Sequence, residues 1–257
     1  MTGPVVNIAA YQFVDFADAA QRQEAFAAQC QELELRGTVL LSPEGINLFL
    51  AGSRSGIDGF LAWLRSDARF ATIQVKESVS ATQPFKRLRI KLRAEIITMR
   101  RPQIRPLAGR APAVAPSDLK RWLDQGHDDA GRPVVLLDTR NAFEVAAGTF
   151  TGAQHYGLGK FTEFPAAVEA QREQLASSTV VTFCTGGIRC EKAALLMEEV
   201  GVPHVFQLDG GILGYFEQVG GAHYQGACFV FDERIAVDPS LTPVAMERPT
   251  ALDNALA

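Results

Sequence analysis

Two short and almost wholly apolar runs constrain the fold of this chain most strongly. The runs Val134–Asp138 (VVLLD) and 180–184 (VVTFC) are separated by a helical pattern at 165–176. The alternation continues in further helical patterns and one more apolar strand, at 118–126, 191–201, 204–208 and 212–218. Strands that are apolar on both faces are typical of parallel sheets covered by helices. We therefore predict an α/β domain at 117–225, with a parallel sheet covered by helices on both faces.

The first hundred residues show strands and two amphipathic helices in a different order. Strands are predicted at Val5–Phe13, 37–42, 46–51, 73–78 and Leu88–Leu92, with helices at 18–35 and 55–65. The order βαββαβ with one extra strand indicates a ferredoxin-like (acylphosphatase-like) α+β domain at 1–100. A proline-rich linker is predicted at 101–116, and a C-terminal strand with a polar tail at 226–257.

Composition limits the class of protein. With 257 residues, of which 47% are hydrophobic and 21% charged, the chain is long enough for two globular domains. No apolar run approaches the ~20 residues of a membrane span, and the first residues lack the basic start and apolar core of a signal peptide. The four cysteines are too scattered for a disulfide framework. We expect a reduced, cytoplasmic protein with no membrane segment.

Basic residues concentrate in the first domain. Residues 1–111 contain 15 Lys/Arg against 10 Asp/Glu, and residues 112–257 contain 10 against 19, so the net charge of −4 divides into +5 and −9. Around the strand Leu88–Leu92, period-two alternation puts four cations on one face: Arg87, Arg89, Lys91 and Arg93. They form either an RNA-binding face or a solvated edge strand whose cations prevent aggregation. We favour RNA, because adjacent like charges repel unless a polyanion neutralises them.

Cys184 lies where a predicted strand ends and a short loop leads into a helix. The carboxyl end of a strand is where α/β sheets build their sites. Two glycines let successive backbone N–H groups point inward, and the helix adds the positive end of its dipole. Such surroundings lower a thiol pKa from about 8.5 to roughly 3.5–7.5. We predict that Cys184 is the catalytic nucleophile of an active-site loop that continues through Thr185, Gly186, Gly187, Ile188 and Arg189.

Four neighbouring residues have candidate supporting roles. Arg189 would supply a cation beside the thiolate or bind an anionic intermediate. Asp138 and Arg140 would hold the active-site end of the sheet through an ion pair. Cys190 has two interpretations that the sequence leaves open: a resolving thiol for an oxidised or persulfidated Cys184, and a packing residue at the start of the helix.

The loop resembles the active-site loop of rhodaneses. Residues 136–153 (LLDTRNAFEVAAGTFTGA) are also similar to the rhodanese strand and turn with its Asp-x-Arg. Four residues separate Cys184 from Arg189, the loop length associated with sulfane sulfur, whereas cysteine phosphatases of similar fold have five. The resemblance therefore implies persulfide-type chemistry at Cys184 rather than phosphate-ester hydrolysis.

A narrower resemblance extends over residues 6–237. Segments similar to the rhodanese-domain tRNA uridine hydroxylases are 37–47 (GTVLLSPEGIN), 84–99 (PFKRLRIKLRAEIITM), 184–193 (CTGGIRCEKA), 210–218 (GGILGYFEQ) and 228–237 (CFVFDERIAV). This family acts on uridine 34, the wobble position of the anticodon. The resemblance implies oxygen-dependent hydroxylation of carbon 5 to 5-hydroxyuridine, with tRNA bound through its anticodon region and molecular oxygen as co-substrate.

Other cofactors and a metal are not expected. The four histidines show no pairing at metal-ligand spacing, and residues 238–257 lack the cysteine-rich stretch with which longer family members could bind metal. A rhodanese-type sulfurtransferase, which moves sulfane sulfur through a Cys184 persulfide and needs no RNA, remains the alternative enzyme class. A non-catalytic tRNA-binding module fits less well, because the loop keeps its cysteine.

Overall fold

The computed structural model describes residues 4–249. The chain divides into two compact units, Met1–Thr98 with Phe231–Arg234, and Met99–Val230 with Ile235–Ala257. The first unit contains β1 (Val5–Phe13), α1 (Ala19–Glu32), β2 (Arg36–Ser42), β3 (Gly45–Gly52), α2 (Arg54–Arg65), β4 (Val75–Ser80) and β5 (Leu88–Leu92).

The sheet of the first unit has the order β4-β1-β3-β2-β5. Its β1–β3, β2–β3 and β1–β4 pairs are antiparallel, whereas β5 joins the edge parallel to β2. Alternate residues of β1, Val6, Ile8 and Ala10, belong to the same core as Phe26 of α1 and Phe60 of α2. The predicted ferredoxin-like α+β domain is confirmed, with β5 as the extra strand.

The second unit contains fourteen further elements, most of them short. Its helices are α3 (Pro116–Gln125), α4 (Ala142–Val145), α5 (Phe164–Leu175), α6 (Ile188–Glu199) and α7 (Gly211–Val219). Its strands are β6 (Ala113–Val114), β7 (Val134–Asp138), β8 (Gly148–Phe150), β9 (Gln154–His155), β10 (Thr179–Phe183), β11 (Val205–Leu208), β12 (Tyr224–Gly226), β13 (Cys228–Phe229) and β14 (Ala236–Val237).

The main sheet of this unit is parallel, in the order β6-β11-β10-β7-β9. Val181 and Phe183 of β10 share a core with Trp122 of α3 and Tyr215 of α7. The intervening residue Thr182 alternates to the side on which α6 packs against β10 and β11. The predicted parallel sheet with helices on both faces is therefore confirmed. Within residues 4–249, no helix is both long enough and apolar enough to cross a membrane.

Two predicted connections contain more structure than expected. The segment 101–116, predicted as a linker, belongs to the second unit and contributes β6, because the backbone of β11 has an unpaired edge there. After residue 226, β13 and β14 form an antiparallel pair rather than a single strand. Residues 250–257 of the predicted polar tail lie outside the described residues.

The start of α3 also differs slightly from expectation. Ser117, just before the helical pattern at 118–126, has the side chain of a typical helix cap, but the helix begins at Pro116 and Ala115 occupies the cap position. Proline suits the first helical position because it has no N–H to leave unpaired and its φ is already helical.

Candidate active site

Cys184 follows β10 directly and is fully buried. The backbone N–H of Gly187 donates a hydrogen bond of 3.1 Å to its Sγ. Gly187 has a φ of 99° and caps α6, so the chain turns from the loop straight into the helix. Of the six residues from Cys184 to Arg189, Gly186 alone is half-exposed. The thiol therefore lies inside a closed loop, next to the positive end of a helix dipole.

Cys184 in the loop and Cys190 in the first turn of α6 affect each other's pKa. Burial by itself raises the pKa of Cys184, but a hydrogen bond from the thiol of Cys190, the charge of Arg189 and the loop N–H groups outweigh it. The pKa of Cys184 consequently lies well below its ordinary value. Burial and the adjacent Cys184 raise the pKa of Cys190 well above its ordinary value. These opposite shifts favour a thiolate at Cys184 with the proton on Cys190.

Arg189 is not the free cation that the loop sequence suggests. Its Nη1 and Nη2 donate hydrogen bonds of 2.6 and 2.7 Å to the two carboxylate oxygens of Glu144. Both side chains are buried, and Nε of Arg189 has no hydrogen-bond partner among the described residues. The two predicted roles of Arg189, a cation beside the thiolate and a contact to an anionic intermediate, stay predictions, and the Nη1–Nη2 edge of its guanidinium is occupied by Glu144.

The ion pair predicted between Asp138 and Arg140 is present and completely buried. Arg140 Nη2 lies 2.6 Å from one Asp138 oxygen, and its Nε lies 2.9 Å from the other. The same guanidinium also donates to the carbonyl of Gly148, at 2.6 Å, and Thr149 donates to Asp138 at 2.7 Å. The pair thus ties the end of β7 to β8.

The first turn of α7 forms hydrogen bonds with the backbone of the Cys184 loop. The N–H groups of Ile212 and Leu213 donate to the carbonyls of Cys184 and Thr185, at 2.9 and 3.1 Å. Gly211 has a φ of 63°, and a Cβ there would lie 2.6 Å from the Cys184 carbonyl oxygen and 2.7 Å from the Gly187 nitrogen. Only glycine fits this position, since a side chain would displace loop backbone.

β13 contacts the loop on a further side. Thr185 donates hydrogen bonds to the carbonyl of Phe229 at 3.3 Å and to the carboxylate of Glu144 at 3.4 Å. Cys228 is buried, and burial raises the pKa of its thiol to about 12. It is therefore a neutral packing group next to the loop.

Sequence reasoning missed Glu144 and Gly211. A local signal existed for Glu144, because Asn141-x-x-Glu144 has the pattern of a helix capping box, which the structure forms at α4. Gly210-Gly211 before a helical pattern signalled left-handed backbone, but nothing in the sequence indicated which loop it would touch.

The predicted basic face lies on the edge strand of the first unit. Among residues 4–249, none of Arg87, Arg89, Lys91 and Arg93 forms an ion pair. Partial burial and the like charges of the other three lower the pKa of Lys91. Because β2 and β5 pair in parallel with Gly37 opposite Leu88, the exposed Arg36 lies next to Arg87. Arg36 is a fifth unpaired cation, which sequence alone could not place there.

No group of three or more His, Cys, Asp or Glu side chains within the described part of the chain is arranged to hold a metal ion.

Two family models match the chain. The UPF0176 acylphosphatase-like domain matches residues 5–96, and the rhodanese-like domain matches residues 115–218. The chain is thus a rhodanese-domain protein with an acylphosphatase-like domain before it.

Similar proteins narrow this class. A protein named tRNA uridine(34) hydroxylase from Cupriavidus taiwanensis is 63% identical over 239 residues, which cover 93% of this chain and 85% of that protein. Proteins of the same name from Ralstonia nicotianae and Bordetella petrii are each 62% identical over 93% of this chain. The matched regions cover 85% and 95% of those two proteins, respectively. The chain belongs to the tRNA uridine(34) hydroxylase family, which confirms the resemblance of its motifs.

The contact between Gly211 and the loop leads to a first prediction. Gly211→Ala should reduce tRNA modification by more than about tenfold, equivalent to about 1.4 kcal/mol of transition-state stabilisation, because its Cβ displaces the loop backbone. The measurement is 5-hydroxyuridine formed per enzyme by mass spectrometry of tRNA nucleosides. Gly126→Ala is the matched control: Gly126 has a φ of 80° but nothing within 4 Å of its Cβ position. Equal losses in the two variants would show that only left-handed strain matters.

The cysteine pair leads to a second prediction. In wild type the Cys184 thiolate, followed by its ultraviolet absorbance against a Cys184→Ser reference, should persist to well below the ordinary thiol pKa of about 8.5. Cys190→Ala should raise that pKa, because the S–H donor to the thiolate is lost. Cys190→Ser keeps a donor and should titrate close to wild type. An unchanged titration in Cys190→Ala would mean that the loop N–H groups and the helix end suffice.

Proposed function

We propose that this chain hydroxylates uridine 34 of tRNA at carbon 5, with molecular oxygen as co-substrate and Cys184 as the nucleophile. The observation that carries the proposal is the buried Sγ of Cys184, to which the Gly187 N–H donates, in a chain of this family. The proposed substrate rests on the names of the relatives, and the proposed role of Cys184 rests on the loop geometry, which its lowered pKa supports.

Each part of the site then has a defined task. In this proposal Cys184 is the nucleophile, and the loop N–H groups stabilise the negative charge on its Sγ. The raised pKa of Cys190 favours its protonated form, which donates a hydrogen bond to that sulfur. The anticodon loop suits this arrangement, because its bases are unpaired and can leave the stack at low cost.

Phosphate-ester hydrolysis is disfavoured by the same geometry. A phosphate needs several donors on a wider loop, and the usual bidentate contact comes from the two prongs of an arginine. Here the prongs of Arg189 are bound by Glu144, and four residues rather than five separate Cys184 from Arg189.

A sulfurtransferase is the second candidate, because the rhodanese-like domain model includes the Cys184 loop. The thiolate would accept a sulfane sulfur and pass it on as a persulfide. The two functions separate in one assay: a sulfurtransferase converts thiosulfate and cyanide to thiocyanate without RNA, whereas the hydroxylase leaves 5-hydroxyuridine in tRNA and needs oxygen.

The basic strand supplies the tRNA contact in this proposal. Five cations, namely Arg36 and the four at positions 87, 89, 91 and 93, lie on one face of the first unit without an ion-pair partner among the described residues. RNA phosphates would neutralise them and release their counterions. Phosphate contacts position the tRNA, while the choice of base falls to the site around Cys184.

Cys184→Ser should abolish formation of 5-hydroxyuridine, because a hydroxyl has no nucleophilic anion at neutral pH in this loop. The variant should fold, since the change is nearly isosteric. Cells lacking the native protein and complemented with each variant provide the tRNA for mass spectrometry. Cys30→Ala is the control: Cys30 is buried in the first unit, and burial raises its pKa to about 12. Undiminished 5-hydroxyuridine with Cys184→Ser would refute the assignment.

Replacing Arg87, Arg89 and Lys91 together by Glu should weaken tRNA binding by at least about tenfold at low salt. The slope of log affinity against log salt should flatten, since each lost phosphate contact removes about 0.7–0.9 of it. Leu88 and Ile90 face the core and are unchanged, so the sheet should persist. Anisotropy titrations with labelled tRNA at several salt concentrations measure both quantities.

A single-charge comparison controls for net charge. Arg89→Glu should weaken binding, whereas Arg172→Glu, an exposed cation on α5, changes net charge equally and should leave it unaltered. If the triple variant binds tRNA with wild-type affinity and salt slope, the cations of β5 serve only to protect a sheet edge.

A further inference from the structure

We propose that Glu144 is a positioning residue of the active site, whose carboxylate fixes Arg189 and Thr185 and so sets the shape and charge of the loop around Cys184. The proposal rests on the proposed role of Cys184, and deepens it by adding a residue outside the loop.

The contacts of Glu144 span the loop. One carboxylate oxygen accepts from Arg189 Nη2 at 2.7 Å and from the Thr185 hydroxyl at 3.4 Å. The other accepts from Arg189 Nη1 at 2.6 Å and from the backbone N–H of Asn141 at 3.1 Å. Thr185 immediately follows the nucleophile, and Arg189 ends the loop. A single carboxylate, anchored at the start of α4, therefore holds both ends of the loop.

The same carboxylate also offsets charge. Arg189 is buried and its guanidinium acts on the Cys184 thiolate. The Glu144 anion offsets part of that positive charge, so the carboxylate limits how far Arg189 stabilises the thiolate. Other titratable groups near this pair are Asp138 at the end of β7, Arg140 shortly after it, Tyr224 on β12 and Cys228 on β13.

Glu144→Gln should therefore lower the pKa of Cys184, whereas a variant that only loosens the loop would raise it. Removing the anion leaves Arg189 fully charged next to Sγ, and an unscreened positive charge lowers a thiol pKa. We expect the thiolate titration of Cys184 to move to lower pH by roughly one unit. We also expect tRNA modification to fall by about tenfold or more. The reasons are that no carboxylate then holds Thr185 and Arg189, and that a thiolate of lower pKa is a weaker nucleophile.

Glu144→Asp separates charge from geometry. It keeps the anion, so the Cys184 titration should stay within about 0.3 units of wild type, while the shorter side chain leaves modification reduced. A residue with a purely structural role would not give this split between titration and rate.

A buried ion pair elsewhere in the same unit provides a matched control. The carboxylate of Asp128 is buried and binds Arg132 and Thr179, which both lie outside the loop. Asp128→Asn should destabilise the fold, yet leave the Cys184 titration close to wild type. If Asp128→Asn shifts titration and rate as much as Glu144→Gln does, the special role of Glu144 is refuted.

A buried arginine without its carboxylate can prevent folding, so a double variant is also measured. Glu144→Leu with Arg189→Met removes both charges and keeps an apolar core, which favours a folded product. Its modification rate should be reduced by about tenfold or more. Wild-type modification by the double variant, or a wild-type titration and rate in folded Glu144→Gln, would overturn the proposal. The titration requires no tRNA, so it tests Glu144 even if Cys184→Ser fails to abolish hydroxylation.

Discussion

The hydrogen bonds between the start of α7 and the Cys184 loop determine the chemistry of the site. Ile212 and Leu213 use N–H groups that a helix start leaves unpaired to bind the carbonyls of Cys184 and Thr185. With those carbonyls held on the outer side, the loop turns so that the Gly187 N–H faces Sγ. The thiolate is thus stabilised by backbone dipoles that are already oriented before any substrate binds. Gly211 makes this contact possible, because any side chain there would separate the helix from the loop.

Burial explains why the cations of this site occur in pairs. An unpaired charge in a protein interior costs several kcal/mol, and breaking a buried pair leaves that cost in place. Arg189 with Glu144, and Arg140 with Asp138, satisfy this requirement within a few residues of the thiolate. Because each pair is close to neutral, the site tolerates one further negative charge at Cys184. A free Arg189 would stabilise the anion more strongly but would make it a poorer nucleophile, since nucleophilicity falls with pKa.

How much the sequence could predict depends on how local the signal was. The strand Val134–Asp138, the position of Cys184 and the spacing to Arg189 are all local, and they were predicted correctly. Glu144 lies 45 residues from Arg189, so its partner becomes visible only when β7 and β10 are placed side by side. Arg36 joins the basic face through a parallel pairing of β2 with β5, which no alternation pattern specifies. The strand β6 was missed because two residues between prolines carry no periodicity, and the edge of β11 supplies the reason for it.

Charge pairing also distinguishes the two roles that cations have in this protein. Elsewhere in the first unit, exposed Arg54 binds Glu77, and Arg69 binds Asp67. These arginines are therefore neutralised by acidic side chains of the same unit. Along residues 87–93 the cations alternate with apolar residues, and among the described residues none of them has such a partner, although partial burial and mutual repulsion lower the pKa of Lys91. Edge protection needs one or two lysines, whose charge suffices to prevent strand pairing. A continuous row that is mostly arginine, extended sideways by Arg36, exceeds that need and matches the bidentate contacts that arginine makes with phosphate. The uncompensated charge of this face is thus the feature of the first unit on which the proposed tRNA contact rests.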